Sequence, residues 1–129
     1  MNARTTALSA LIAMRRQNAW ADGALKEYTA RARLDRRDAA LCARLLYGVV
    51  QNRMLLDFYL AQAVASPLAK LQPVVLDILR LGAYQILFLD KIPVSAAVNE
   101  AVEQTTTYAN KRAAGLVNGS LRTLARRKG

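Results

Sequence analysis

The amino-acid sequence predicts an all-α fold, a bundle of about six or seven helices that forms a single domain over residues 1–129. Apolar residues recur at the three- and four-residue spacing of a helical face, and no segment shows the two-residue alternation of a half-buried strand. Six glycines and three prolines are few enough to leave long helices uninterrupted. With 53% hydrophobic residues, a chain of this length can bury one core, so the composition is globular rather than disordered.

Two helices are predicted near the amino terminus. The first covers about residues 4–18, because its apolar residues fall together on one face. Asp22 and Gly23, next to Trp20, mark a turn or the start of a new helix, and a second, shorter helix follows over about residues 24–31. The apolar face of the first helix consists of Ala7, Leu8, Leu11 and Ile12.

The next two helices have clear boundaries in the sequence. Asp35 is a good N-cap for the third helix, and Asp38 favours the positive end of its dipole. The fourth helix must end near Ser66 and Pro67, because the residue before proline disfavours helical geometry. The predicted apolar face of the third helix is Leu41, Cys42, Leu45, Leu46, Val49 and Val50, and the fourth helix is predicted from Met54, Leu55, Phe58, Tyr59 and Ala63.

A fifth helix is predicted to lie at the centre of the bundle. Pro73 can occupy its first turn, and polar side chains are few over residues 74–89. Such a helix must be surrounded by other helices. Gly82, like Gly48 in the third helix, is expected to permit close helix packing. Three aromatic residues in apolar surroundings are expected in the core: Tyr47, Tyr84 and Phe88.

The stretch from Ile92 to Leu121 predicts the last two helices. Pro93 is a helix entry signal, and the sixth helix follows with an apolar face. Asn99 and Asn118 lie inside helices, where asparagine is a poor helix former. Asn99 is expected to be a buried or half-buried amide that fixes helix register, and for Asn118 register and contact with a binding partner are both open. The face of the sixth helix is Ala97, Val98, Ala101, Val102, Thr105 and Tyr108.

Charge indicates a polyanionic partner. Nineteen Lys and Arg against nine Asp and Glu give a net charge of +10, which favours nucleic acid first and an anionic membrane surface second. No transmembrane helix is expected, since the longest uncharged run covers residues 58–69. The basic amphipathic amino-terminal segment could also be a mitochondrial transit peptide, but it fits the first helix, and a single cysteine favours a reducing cytoplasm.

Catalytic and cofactor-binding groups are not found in the sequence. There is no histidine, no glycine-rich phosphate loop and no pair of cysteines at metal-binding spacing, so no catalytic residue, metal site or cofactor is predicted. Cys42 could be a thiol nucleophile. Its place between Leu41 and Ala43 on an apolar face favours a small core residue instead.

The last helix is the strongest candidate for nucleic-acid contact. At 100° per residue, Lys111, Gly115, Asn118, Arg122 and Arg126 share about a third of its circumference, and Arg112 lies beside them. The small glycines would let a phosphate or a base approach closely, while the cations supply charge. The alternative is a solvated polar face. Ala113, Val117, Ser120, Leu121 and Leu124 form the opposite side.

Two further groups of arginines are candidates in the first half of the chain. Arg4, Arg15 and Arg16 lie at the ends of the first helix, although cations at a helix C-terminus also have a structural explanation. Arg31 and Arg33 belong to a cluster that is a candidate for phosphate contact. In the same cluster, Arg37 is expected to form a structural ion pair, with Asp35 and Asp38 as the neighbouring carboxylates. Trp20 and Tyr108 are the aromatics that could be exposed for stacking.

One string of residues carries a family resemblance. P-x-S-A-A-V-N-E-A-V-E followed by K-R-A-A-G-L-V-N-G-x-L-R resembles the closing helices of the NusB family, and more closely those of the NusB-like amino-terminal domain of bacterial ribosomal RNA cytosine-C5 methyltransferases. Weaker similarity covers residues 34–41, 46–50 and 76–89, and the departures are Thr105–Thr107 and Ser120. The resemblance implies two perpendicular three-helix sub-bundles and RNA binding partly through a basic amino-terminal segment.

The expected function is therefore that of a non-catalytic RNA-binding domain. The resemblance implies the ribosomal RNA recognition module of a small-subunit methyltransferase, with a catalytic domain in the same natural protein. Two alternatives stay open. One is a stand-alone antitermination factor that binds transcript RNA alongside a ribosomal protein, and the other is a helical protein-interaction or dimerisation module.

Overall fold

The structure, a computed structural model, describes residues 1–128 and confirms the all-α prediction, with seven α-helices and no strand in that range. The chain divides into two compact units, an amino-terminal unit of residues 1–51 and a carboxy-terminal unit from Asn52 onward. The amino-terminal unit contains α1 (Ala3–Gln17), α2 (Ala21–Ala32) and α3 (Arg36–Gln51). The carboxy-terminal unit contains α4 (Arg53–Ala63), a 3₁₀ turn (Leu68–Lys70), α5 (Pro73–Phe88), α6 (Val94–Tyr108) and α7 (Lys111–Lys128).

Side-chain caps begin two helices of the amino-terminal unit. Asn2 Oδ1 accepts a hydrogen bond from the Thr5 backbone N–H at 2.8 Å, and Asp35 Oδ1 accepts one from the Asp38 N–H at 2.8 Å. The second contact confirms Asp35 as an N-cap. α2 begins at Ala21, three residues before the predicted start, and its N-cap residue Trp20 makes no side-chain cap hydrogen bond.

The core of the amino-terminal unit is formed by small and aliphatic side chains. Leu8 of α1 and Leu45 and Leu46 of α3 are fully buried, as their spacing predicts. Two expectations are wrong at the edge of this core. Val50 is 39% exposed, and Tyr47 is half-buried because its hydroxyl donates to the Asp22 carboxylate at the unit's surface. This hydrogen bond is the main cause that raises the pKa of Tyr47, since it stabilises the neutral phenol.

α1 and α2 end in the left-handed conformation. Asn18 has φ of 54° and Arg33 has φ of 53°, and they are the non-glycine residues with positive φ in the described chain. The Arg33 N–H donates to the Ala30 carbonyl at 3.2 Å, and the following N–H, of Leu34, donates to Thr29 at 3.4 Å. Asparagine tolerates this conformation, whereas in arginine the Cβ atom lies unfavourably close to the following carbonyl oxygen.

α5 is the central helix of the carboxy-terminal unit. It packs against α4, α6 and α7, and most of its residues are buried, which confirms that it is surrounded by other helices. Gly82 lies where α5 approaches α7. A Cβ atom at this position would be 2.6 Å from Leu121 Cδ1, so the glycine permits the close packing that the sequence predicts.

The apolar residues from which α4 was predicted are not the ones that the structure buries. Leu56 and Leu60 are fully buried, whereas Met54 is 88% and Phe58 60% exposed. Phe88 at the end of α5 is 39% exposed, so its assignment to the core is wrong, although Tyr84 is buried. In runs where nearly every residue is apolar, spacing does not determine which side faces the core.

A bidentate ion pair joins α4 to α5. The Arg80 Nε and Nη2 atoms donate to the two carboxylate oxygens of Asp57, each at 2.8 Å. Arg80 is 8% exposed, so its charge depends on this partner. A second link joins α7 to α4, since Arg127 Nη1 donates to the Gln62 carbonyl at 2.7 Å.

Candidate nucleic-acid interface

α7 concentrates positive charge on one helix. It carries six Lys and Arg residues and no Asp or Glu over its 18 residues. Its other side is buried, and this confirms the division of faces that the sequence predicts. The cations are Lys111, Arg112, Arg122, Arg126, Arg127 and Lys128, and the buried residues are Val117, Ser120, Leu121 and Leu124.

The first turn of α7 presents two cations together with backbone donors. Asn110 Oδ1 accepts from the Ala113 N–H at 2.8 Å, while the Asn110 amide donates to Gln72 Oε1 at 3.1 Å. Lys111 and Arg112 are exposed, and neither forms an ion pair within residues 1–128. A cation in the first turn of a helix is disfavoured by the helix dipole, so an anionic ligand would stabilise this arrangement.

Near the centre of α7, the side-chain amide of Asn118 contacts the guanidinium of Arg122. Arg122 Nε donates to Asn118 Oδ1 at 2.9 Å, which holds the exposed arginine along the helix. Asn118 is half-buried, and its Nδ2 remains available as a donor. Asn99 on α6 is exposed, so the expectation of a buried or half-buried amide is wrong there.

The cations of the last turn contact polar groups of the same unit. Arg126 Nη2 donates to Thr123 Oγ1 at 3.1 Å, and Lys128 Nζ lies 3.5 Å from an Asp90 carboxylate oxygen. Arg127 donates to a carbonyl of α4. Of these three residues, Arg126 is the one predicted from sequence as an RNA contact, and its bond to Thr123 lies within α7 and leaves it exposed.

An open groove of about 570 Å³ lies between α6 and α7. Gly115 and Gly119 of α7 are exposed, and a Cβ atom at either position would meet no atom within 4 Å. Close packing therefore does not require these glycines. The groove is lined by Asn99, Val102, Glu103, Ala114, Gly115 and Asn118.

The arginines of α1 do not form one cluster. Arg4 is half-buried in the first turn, whereas Arg15 and Arg16 are exposed in the last turn. Arg15 follows Arg4 by eleven positions along the helix, a distance of about 16 Å along the axis. These arginines therefore lie at opposite ends of the helix, as the sequence predicts.

The second arginine cluster is partly engaged within the amino-terminal unit. Arg31 Nη2 lies 2.6 Å from Glu27 Oε2, and its guanidinium lies 5.2 Å from the centre of the Tyr28 ring. Arg33 is exposed at the left-handed end of α2. The expected ion pair of Arg37 with Asp35 or Asp38 is absent from the described chain. Asp38 is the next residue on the helix and points in a different direction, and Asp35 instead caps α3.

Two aromatic side chains predicted to be candidates for stacking are exposed. Trp20 is 85% exposed at the start of α2, and Tyr108 is 39% exposed at the end of α6. Each lies on a different unit. Their exposure allows a base to reach either ring, but neither is part of the groove between α6 and α7.

Cys42 is a core residue. Its side chain is fully buried on α3, and burial raises the pKa of the thiol to about 11. The thiolate form that a nucleophile needs is therefore disfavoured, and no reactant can reach the sulfur. None of the described helices is long and apolar enough to cross a membrane.

These features define a class of protein: a basic helical protein whose final helix, α7, carries six cations and no carboxylate. The chain belongs to the NusB family, whose model matches residues 1–126. Within the described residues, two compact helical units agree with the two sub-bundles that the family resemblance implies, but the carboxy-terminal unit has four α-helices rather than the expected three.

Relatives of two kinds match the chain. A probable ribosomal RNA small subunit methyltransferase B of Bacillus subtilis (strain 168) is 37% identical over 123 residues, which cover 95% of this chain and 27% of the relative. The transcription antitermination protein NusB of Caldicellulosiruptor saccharolyticus is 33% identical over 89 residues, or 68% of each chain. This chain thus spans about a quarter of the methyltransferase that it matches.

A solved structure has the same fold. A crystal structure of the antitermination factors NusB and NusE in complex with double-stranded RNA matches with a TM-score of 0.87 at 21% identity. The match covers 96% of this chain and 93% of that chain. At this identity the likeness establishes the fold.

Proposed function

We propose that residues 1–129 form one non-catalytic RNA-binding domain whose ligand is ribosomal RNA. The observation that carries this proposal is α7, an 18-residue helix with six cations and no acidic residue. Lys111 and Arg112 add unpaired charge at the end of the helix where backbone N–H groups also point outward. The family match and the RNA complex of a protein with this fold support the proposal.

We further propose that this domain is the amino-terminal recognition module of a small-subunit ribosomal RNA cytosine-C5 methyltransferase. The match to methyltransferase B over 95% of this chain supports this, and the relative's greater length leaves room for a catalytic domain. In this proposal the S-adenosylmethionine chemistry belongs to that domain, and the protein works in the cytoplasm, where ribosomal RNA is made in bacteria. Cys42 supplies none of the chemistry, because its thiol is buried.

A second candidate is a free-standing antitermination factor. It is favoured by the match to an antitermination protein over 68% of that protein, and by the structure of NusB with NusE and RNA. In this case a ribosomal protein would be an additional partner. The sequence of the natural gene beyond residue 129 separates the candidates, since the methyltransferase requires a continuing frame with a glycine-rich cofactor loop.

Phosphate contacts are assigned first to α7 and then to the amino-terminal unit. On α7, the exposed cations can follow an RNA backbone, while the Asn118 amide can contact a base. In the amino-terminal unit, Arg33 and the α1 arginines are additional candidates, and Arg31 is weaker because Glu27 already neutralises it. The complete set is Lys111, Arg112, Asn118, Arg122 and Arg126, with Arg4, Arg15, Arg16, Arg31 and Arg33.

The test compares two double variants that remove equal charge. Lys111→Ala with Arg112→Ala should lower the magnitude of the slope of log affinity against log salt by about 1.4 for single-stranded RNA. Because cations disfavour the first turn of a helix, this variant should be at least as stable as the wild type, so lost binding cannot come from unfolding. Affinity would be measured by fluorescence anisotropy at several salt concentrations.

The control is Arg36→Ala with Arg37→Ala, two exposed cations in the first turn of α3 that lie outside this set, and it should change the slope by less than half as much. Equal changes in both variants would assign RNA binding to overall charge rather than to α7. An absence of RNA binding even at low salt would overturn the proposal and favour a protein-interaction module.

A further inference from the structure

Gly115 is a helix-interior glycine that packing does not explain. Gly82 has to be small because Leu121 is next to it, but a Cβ at Gly115 would meet no atom within 4 Å. Glycine inside a helix costs about 1 kcal/mol relative to alanine. What Gly115 does is keep the groove between α6 and α7 open, since it lines that groove.

The polar atoms of this groove form an unusual set for so basic a chain. Glu103 is exposed and forms no ion pair among residues 1–128, although the chain has 19 cations. Its carboxylate would repel a phosphate placed in the groove. Asn118 has its oxygen occupied by Arg122, so it offers the groove a donor, and Asn99 offers both a donor and an acceptor.

The occupant that matches this set carries adjacent N–H donors beside a carbonyl acceptor. Among the RNA bases, guanine has this arrangement: its N1–H and N2–H₂ can donate to the two oxygens of one carboxylate, and its O6 can accept from an amide. Adenine and cytosine offer a single amino donor on that edge, and uracil places one N–H between two acceptors. The carboxylate of Glu103 therefore favours guanine.

We propose that the groove between α6 and α7 binds one unstacked guanine of single-stranded RNA, with Glu103 and Asn118 reading its Watson–Crick edge and Gly115 leaving room for the ring. This inference rests on the proposed RNA-binding function and names what the interface selects. The cations of α7 hold the phosphates on either side, and the groove supplies the sequence preference. Its volume of about 570 Å³ is ample for one nucleotide.

The first experiment uses the two open glycines of α7 as a matched pair. Gly115→Leu and Gly119→Leu should both raise the thermal midpoint by about 2 °C or more, because leucine is a better helix former and both sites are open. Gly115→Leu should weaken binding of a 12-nucleotide uridine oligomer with one central guanosine by about tenfold. Gly119→Leu, outside the groove, should leave that affinity within twofold of the wild type.

The second experiment changes single atoms of the base. Replacing the guanosine by inosine, which lacks the N2 amino group, or by adenosine should weaken binding to the wild-type chain by about five- to tenfold. Glu103→Gln should abolish the preference among the three oligomers while leaving the salt dependence largely intact. A carboxylate without a reading role would give a different result, since its removal would strengthen binding of all three oligomers equally.

The RNA-binding function and the guanine site can fail separately, and the experiments distinguish the two failures. Salt-dependent RNA binding with no preference for guanosine, or equal affinities of the Gly115→Leu and Gly119→Leu variants, overturns the guanine site and leaves the RNA-binding function standing. Failure of every oligomer to bind overturns both. If the groove binds a basic protein segment instead, RNA binding would depend on salt but would show no preference for guanosine.

Discussion

The two units carry the same net charge but distribute it differently. The amino-terminal unit has nine Lys and Arg against four Asp and Glu, and the rest of the chain has ten against five, so each has a net charge of +5. In the amino-terminal unit, cations and carboxylates alternate along α2, where Arg31 pairs with Glu27, whereas α1 carries three arginines and no carboxylate. In the carboxy-terminal unit, α7 holds six cations and no carboxylate. The difference teaches that net charge alone does not distinguish the two units, whereas the number of cations on a single helix does, and this number is largest on α7.

The units also differ in how they use ion pairs. The pair of Arg80 with Asp57 is mostly buried, whereas the pair of Arg31 with Glu27 is exposed, with side-chain exposures of 67% and 47%. A buried guanidinium without its partner keeps an uncompensated charge, but an exposed one is solvated by water. Equivalent substitutions should therefore have unequal effects in the two units.

The largest predicted effect is the loss of the buried pair. Asp57→Ala should lower the free energy of unfolding by about 3 kcal/mol, because it leaves the Arg80 guanidinium buried without a carboxylate. Chemical denaturation followed by circular dichroism measures this value. Arg31→Ala is the control in the other unit, and it should cost less than about 1 kcal/mol. Similar losses in both variants would contradict the contrast between the two pairs.

The second prediction compares helical glycines of the two units. Gly82→Ala should destabilise the protein by about 1 kcal/mol, because its Cβ would lie 2.6 Å from the fully buried Leu121 side chain. Gly23→Ala in α2 should instead stabilise it by about 0.5 kcal/mol, since its Cβ would meet nothing within 4 Å. Urea midpoints at unchanged slope test both signs. A stabilised Gly82→Ala variant would mean that Leu121 can move away at little cost.

The features that the sequence predicts well are local. Asp35 could be assigned as a cap because its partner, the Asp38 N–H, lies three residues away. The exposed and buried faces of α7 followed from spacing, since charged and apolar residues are clearly separated there. α4 had no such separation, and the exposure of Met54 and Phe58 could not be predicted from an almost wholly apolar run.

Long-range pairings were missed for a different physical reason. Arg80 was visible as a charge inside an apolar helix, but its partner Asp57 lies 23 residues away and only the fold brings them together. Asn99 was expected to be buried because it interrupts a helix, yet propensity carries no information about burial. Glu103 was missed altogether, since a search for cations does not find a carboxylate that lines a groove. The signal that was available was the pair of helical glycines, Gly115 and Gly119.

The smallest predicted effect concerns the left-handed helix ends of the amino-terminal unit. Arg33→Gly should raise the free energy of unfolding by about 0.5 kcal/mol, because glycine adopts a φ of 53° without the steric cost that arginine pays. Asn18→Gly is the matched control at φ of 54°, and it should change stability by close to zero, because asparagine already tolerates this conformation. The same Arg33→Gly protein also tests the division between the units. If Arg33 contacts phosphate, RNA affinity should fall while stability rises, an outcome that unfolding cannot produce. A less stable Arg33→Gly variant would show instead that the arginine side chain stabilises the end of α2.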